Sequence, residues 1–232
     1  STTILIPVSG QGGNQDGSGG IVQYDLPTST WNTSVLPSGQ VDRVTAYQSS
    51  SGHTWVSWGE LGLEVYSPSG AKLGFCEDLE FPIREIIEYD GLVLFATEDG
   101  VERFNETTFS WESTWTPGNG LPNNVGDWVG ELWTDGQHLL VGTATFAWWG
   151  GFQRGVIGHL DGSTGAWSTV ETGQNGIPNG YPLSMSQCGS YVYIGLLNNN
   201  GGIVSMDLNS SSVVGSFTTS VLSNGRVAAV AC

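Results

Sequence analysis

Two adjacent tryptophans, Trp148 and Trp149, stand in the run TFAWWGGFQRG, with Phe146, Phe152 and Arg154 around them. Neighbouring residues on a strand face opposite sides, so at least one of the two indoles is hard to bury in an edge extension. Exposed aromatic rings stack on the apolar faces of sugars or anchor protein partners, and an arginine adds hydrogen bonds. Trp148, Trp149, Phe152 and Arg154 are therefore the candidate ligand-binding residues. A loop folded back over its own sheet is the competing account.

Other chemistry is thinly supplied. His53, His138 and His159 show neither a His-x-x-x-His nor a His-Glu-x-x-His spacing, so no zinc site is expected. A Gly-x-Ser-x-Gly elbow is absent. The carboxylates of Glu77, Asp78 and Glu80 and of Glu98 and Asp99 fall in inter-strand turns, where solvated acids are the default. A propeller glycosidase would need such acids across a central cavity, and no catalytic residue is assigned. The run GNQDGSGG at 13–20 offers Asn14, Asp16 and Ser18 but lacks the bidentate Glu of a calcium loop. No metal or cofactor is expected beyond adventitious calcium, which a net charge of -16 attracts. Six Lys and Arg cannot neutralise a phosphate backbone, which excludes nucleic acid as a partner.

The elements that must position these residues are strands. No window keeps a helical apolar stripe free of Gly, Pro or β-branched pairs. Runs of four to seven residues such as TILIPV, IVQYDL, TWVSW, LVLFAT, HLLVGTA and YVYIGL alternate between turn residues, the mark of an all-β chain. Glycine reaches 35 of 232 residues, and no run approaches the ~20 apolar residues of a spanning helix, so no membrane insertion is expected.

The chain also repeats. Gly20, Gly62, Gly100, Gly155 and Gly202 each open an alternating strand, at intervals of 42, 38, 55 and 47 residues. Asp25, Asn105, Asp161 and Asp207 follow where a short polar side chain bonds a hairpin turn. Trp31, Trp111 and Trp167 then recur, with Leu73 and Val213 in the matching places, and these rings are expected in the core between sheets. Between the units lie LPSGQVDRV, EFPIREII, LPNNVGDWV, IPNGYPLSM and LSNGRVAAV, each leading into an inner strand. One unit is about 45 residues with four strands, and a sheet of that size buries both faces only when neighbours stack on it radially. The expectation is an all-β, five-bladed β-propeller of four-stranded antiparallel blades, a single domain over 1–232. Its N- and C-terminal strands share one blade, with the last inner strand at Arg226–Cys232. A two-sheet sandwich is the alternative.

Three details follow from that geometry. Arg43, Arg84 and Arg226, with Asp42, Glu85 and Asp127, would ring one mouth of the channel, where mutual ion pairing is the simplest role. Cys188 and Cys232 end inner-strand segments of consecutive units and are the pair to join, leaving Cys76 free. The sequons at Asn32, Asn105 and Asn209 number no more than the two or three that 13 Asn and 46 Ser and Thr give by chance.

The string GLPNNVGDWVGELWTDGQHLLVGT, 120–143, resembles the repeat of two-component-regulator-type β-propellers. FPIREIIEYDGLVLFATEDGVERF, 81–104, is similar without the Leu-Pro-Asn turn. Such repeats typically form extracytoplasmic sensing or binding propellers, so the resemblance implies an extracellular or cell-surface setting. No kinase, receiver or anchor is matched, and a signalling role does not carry over. In size and blade count the chain is also similar to five-bladed lectins, without a matching sugar motif. The functional expectation is a non-catalytic extracellular recognition module, part of a larger surface or secreted protein and a monomer as an isolated domain, binding carbohydrate or a protein partner. The alternatives are a propeller polysaccharide hydrolase or lyase, and a structural surface-layer domain.

Overall fold

The computed structural model describes residues 3–8, 20–25, 30–32, 45–58, 62–76, 83–147, 151–198, 201–218 and 230–231. Among them there are strands and turns and no helix. The chain divides into two compact units, 1–88 and 89–232, and the division falls within one strand, Ile86–Tyr89.

In the first unit, β1 (Thr3–Val8), β2 (Gly20–Asp25) and β3 (Thr30–Asn32) form a three-stranded antiparallel sheet. A second sheet runs in chain order through β4 (Thr45–Gln48), β5 (Thr54–Ser57), β6 (Leu63–Tyr66) and β7 (Lys72–Cys76). Leu63 and Val65 of β6 are buried and Glu64 and Tyr66 half-buried, the period of two that the run GLEVYS carries. The Glu64 carboxylate accepts from Trp58 Nε1 at 2.7 Å and from Tyr66 Oη and Lys72 Nζ at 2.5 Å, tying three elements of the unit together.

The second unit repeats the pattern. Strands β8 (Ile86–Tyr89), β9 (Leu92–Thr97), β10 (Gly100–Asn105) and β11 (Ser110–Trp111) form one sheet. A short parallel pair, β12 (Thr116–Pro117) and β13 (Gly120–Leu121), precedes the next. That next sheet holds β14 (Trp128–Thr134), β15 (His138–Phe146), β16 (Phe152–Asp161) and β17 (Ala166–Glu171). The last holds β18 (Tyr181–Cys188), β19 (Tyr191–Leu197), β20 (Gly202–Asp207) and β21 (Ser212–Thr218). Each is four-stranded, antiparallel and in chain order, running from the marker turn's strand to the edge strand.

The three-stranded sheet matches the last three strands of each four-stranded one. Its missing partner was expected from Arg226–Cys232; residues 226–229 and 232 lie outside those described, and Val230 and Ala231 belong to no strand.

A core cluster of the second unit sits between the last two sheets. Leu140 and Ile157 pack with Met185, Val192, Ile194, Leu196, Val204 and Met206, all buried. At roughly 1.5–3 kcal/mol for each fully buried large side chain, this cluster is the main force joining the two sheets. The repeated glycines permit that approach. At Gly155 a Cβ would lie 2.2 Å from the carbonyl oxygen of Gly180, in the bend that leads into the neighbouring sheet. At Gly100 the backbone is left-handed, φ +131°, and a Cβ would lie 2.3 Å from the Trp115 carbonyl oxygen. Thr172 seals the same seam, its buried hydroxyl donating to Gly180 O at 2.6 Å.

Of the rings expected in the core, Trp167 is half-buried and meets Trp115 edge to face at 6.4 Å. Trp111 departs from the expectation. It is 40% exposed, on the short edge strand β11, and packs on Phe104 and Phe95 of its own sheet. Leu73, 46% exposed, departs likewise. An outermost strand has a neighbour on one side only, so its outward rings remain at the surface. The side chain of Trp31 lies outside those described.

Candidate functional site

Trp148 and Trp149 themselves lie outside the described residues; the strands that carry them do not. At the end of the β15–β16 ladder nearest them in sequence, Phe146 pairs with Phe152. Trp128, from the start of β14, and Tyr181, from the start of β18 on the adjoining sheet, complete a cluster. Ring centroids lie 5.4 Å apart for Trp128–Phe146, 5.3 Å for Trp128–Tyr181 and 5.7 Å for Phe146–Tyr181. Phe152 stands 6.1 Å from Phe146 and 5.6 Å from Tyr181. The contacts are tilted or edge-to-face, the arrangement that ring quadrupoles favour. Trp128 is buried at the floor, and Phe146, Phe152 and Tyr181 are half-buried above it.

Backbone irregularity shapes this end. The ladders slip between Val129 and Glu131, between Thr145 and Phe146, and between Pro182 and Ser184. Such bulges turn side chains out of a regular alternation. The second slip leaves Gln153 unpaired, so Phe152 stands across from Phe146 while Arg154 stands across from Thr145. Thr145 and Phe146 are consecutive on β15 and face opposite sides. The structure therefore brings Phe152 into the aromatic cluster and sets Arg154 on the other face. Arg154 is half-buried, with no hydrogen-bond or ion-pair partner among the described residues.

Tyr181 and Trp128 were not singled out from the sequence. Their signal was an aromatic opening two consecutive inner strands, in LPNNVGDW and IPNGY, after the same Pro-Asn turn.

No family model matches the chain, and no curated protein matches it in sequence. Solved structures do. A chain of the Mitotic Checkpoint Complex matches with a TM-score of 0.63 at 10% identity, over 98% of this chain and 62% of that one. The structure of U3-55K matches with 0.59 at 9%, over 93% and 68%. The extracellular domain of the one-component system BT4673 from B. thetaiotaomicron matches with 0.58 at 14%, over 89% and 27%. The fold is β-propeller-like. In all, 740 chains match, so the likeness fixes architecture and selects no function. The chain spans less than two thirds of the first of these structures and about a quarter of the third.

The remaining sequence candidates are placed as follows. Among the channel-mouth residues, Arg84 is half-buried in the first unit, and Asp127 is exposed in the second, accepting from the backbone N–H of Trp128. Arg43 and Arg226 lie outside the described residues, as does most of the 13–20 run. Glu85 is half-buried, and desolvation of its carboxyl pushes the pKa up to about 7. Cys188 is disulfide-bonded; its partner lies outside the described side chains.

His138 and His159 form a buried pair, ring centroids 5.3 Å apart. Asp135 receives the backbone N–H of His138 and lies 3.0 Å from its Nδ1. His159 Nδ1 lies 2.7 Å from Ser211 Oγ, on the turn between β20 and β21, while its Nε2 is buried without a partner among the described residues. A nucleophilic serine needs a base oriented by a third group. Here no carboxylate holds the second nitrogen of His159, and the ring is 1% exposed. The pair lies within one sheet, and the His159–Ser211 contact ties that sheet to the next.

Proposed function

We propose that this chain is a non-catalytic extracellular recognition module: a five-bladed β-propeller, closed by its two ends in one blade, that binds a carbohydrate or a protein partner. The observation that carries the reading is the aromatic cluster of Trp128, Phe146, Phe152 and Tyr181, which straddles two sheets and includes the residues that flank Trp148 and Trp149 in sequence. Half-buried rings on a rigid floor offer apolar surface already ordered before binding, so little entropy is lost when a ligand covers them. The Tyr181 hydroxyl adds a polar handle, which suits a sugar with one apolar and one hydroxylated face. The likeness to an extracellular domain supports the setting, as does the resemblance to extracytoplasmic binding propellers. Closure by a shared blade is supported by a first sheet with three strands among the described residues, where the other large sheets have four. The test is a glycan array and a pull-down with the wild type and the Trp148→Ala/Trp149→Ala double variant. A defined glycan or protein retained by the wild type and lost by the double variant is expected; unchanged binding removes the site.

One observation favours a second reading, a polysaccharide hydrolase or lyase. Glu85, with its pKa near 7, has the proton affinity that a general acid requires. A glycosidase needs a second carboxyl roughly 5–9.5 Å away. Turnover of a polysaccharide by the purified protein, abolished in Glu85→Gln, would replace the recognition reading.

A further inference from the structure

The chain carries three Asn-x-Ser/Thr sequons, and their number is what chance supplies. The fold sets them apart. Asn209-Ser210-Ser211 occupies the exposed turn between β20 and β21, but the hydroxyl of Ser211 is committed, 2.7 Å from Nδ1 of the buried His159. Asn32-Thr33-Ser34 has its asparagine at the end of β3, with side chains outside those described. Asn105-Glu106-Thr107 opens the turn from β10 to β11. Asn105 Oδ1 accepts the backbone N–H groups of Thr107 at 2.9 Å and Thr108 at 3.2 Å.

Those two bonds fix which end of the amide is engaged. The carbonyl oxygen faces the turn, so the Nδ2 amino group points away from it, and Nδ2 has no hydrogen-bond partner among the described residues. The same two bonds hold the backbone of Thr107 against the asparagine. The Thr107 hydroxyl has no hydrogen-bond partner among the described residues; Asn105 is half-buried and residues 107–112 are exposed. A free Nδ2, a free hydroxyl two residues on and a solvent-exposed turn occur together at this sequon.

We propose that Asn105 is an N-glycosylation site, and that it is used in preference to Asn209. The inference rests on the extracellular setting of the reading above, since the donor and its transferase belong to secretory membranes. In the step, Asn105 Nδ2 attacks the anomeric carbon of an oligosaccharide carried on a polyprenyl pyrophosphate. The N–C bond forms and the C–O bond to pyrophosphate breaks. The lipid pyrophosphate leaves with the electron pair, the amide proton is released, and nothing is oxidised or reduced. The hydroxyl of Thr107 serves as the recognition element, and its loss removes the site without altering Asn105.

The test is secretion of the full chain from a eukaryotic host, followed by peptide mass mapping before and after enzymatic deglycosylation, which leaves aspartate where a glycan stood. A glycan at Asn105 is expected in the wild type, in Thr107→Ser, in Asn209→Gln and in Ser211→Ala. It is expected to be lost in Asn105→Gln and in Thr107→Ala. Wild-type chain recovered from the medium with Asn105 unmodified overturns the inference, as does a glycan at Asn209 alone. Either result leaves ligand binding by the secreted protein to be scored separately, so failure here and failure of the recognition reading are distinct.

Discussion

At the scale of single residues, His159 shows how burial converts into a pH dependence. Desolvation, and then the neighbouring His138, hold its pKa below the ordinary 6.5, against the opposing pull of Asp161 and Asp135. Because the folded-state pKa is depressed, the unfolded chain binds the extra proton first as the pH falls. Stability linked to this group is therefore complete above pH 6.5 and declines as acid titrates the unfolded imidazole, levelling once the folded pKa is passed. Urea unfolding at pH 7.5 and pH 5 is expected to show this loss in the wild type and a shallower one in His159→Gln. Equal slopes would remove His159 from the account. The sequence announced three histidines without metal spacing, and nothing more could be read from it. Their contact depends on Leu140 and His159 standing opposite each other across β15 and β16, a register that no local signal specifies.

Strands and their ends are where sequence and structure correspond best, and where one kind of feature escapes. The runs GVERF, HLLVGTA and YVYIGL became β10, β15 and β19 because a period of two between turn residues leaves few other conformations. Repeating glycines marked the positions where sheets crowd. Gly155→Ala is thus expected to cost about 1–3 kcal/mol through overpacking against Gly180, read as a lower urea midpoint. Trp128→Ala should cost more, about 3–5 kcal/mol, since it empties the floor of the aromatic cluster. Comparable midpoints for wild type and Gly155→Ala would show that the seam is looser than described. The bulges were not legible. A slip of one residue at Gln153 decides whether Phe152 and Arg154 share a face, and the string GGFQRG does not encode it. Phe152 was placed by its type and neighbourhood; Tyr181 was missed because it lies far along the chain and reaches the cluster only through sheet packing.

For the whole molecule, four-stranded units in chain order were visible as self-similarity before any coordinates, and the described sheets share that order. Closure by the two ends is a proposal, and the cysteines offer a handle on it. Cys188 is bonded; a Cys188–Cys232 bridge would anchor the final segment to the unit before it. Peptide mapping without reduction is expected to recover that pair and a free thiol at Cys76; a Cys188–Cys76 peptide would contradict the arrangement. The central claim is recognition through the aromatic cluster. The most direct measurement is the Kd, by calorimetry, of the glycan or protein retained by the wild type, against Phe152→Ala and Tyr181→Ala with unfolding midpoints recorded alongside. Removing either half-buried ring should weaken binding about tenfold or more, near 1.4 kcal/mol, while the variant remains folded. Unchanged affinity in both folded variants would contradict it.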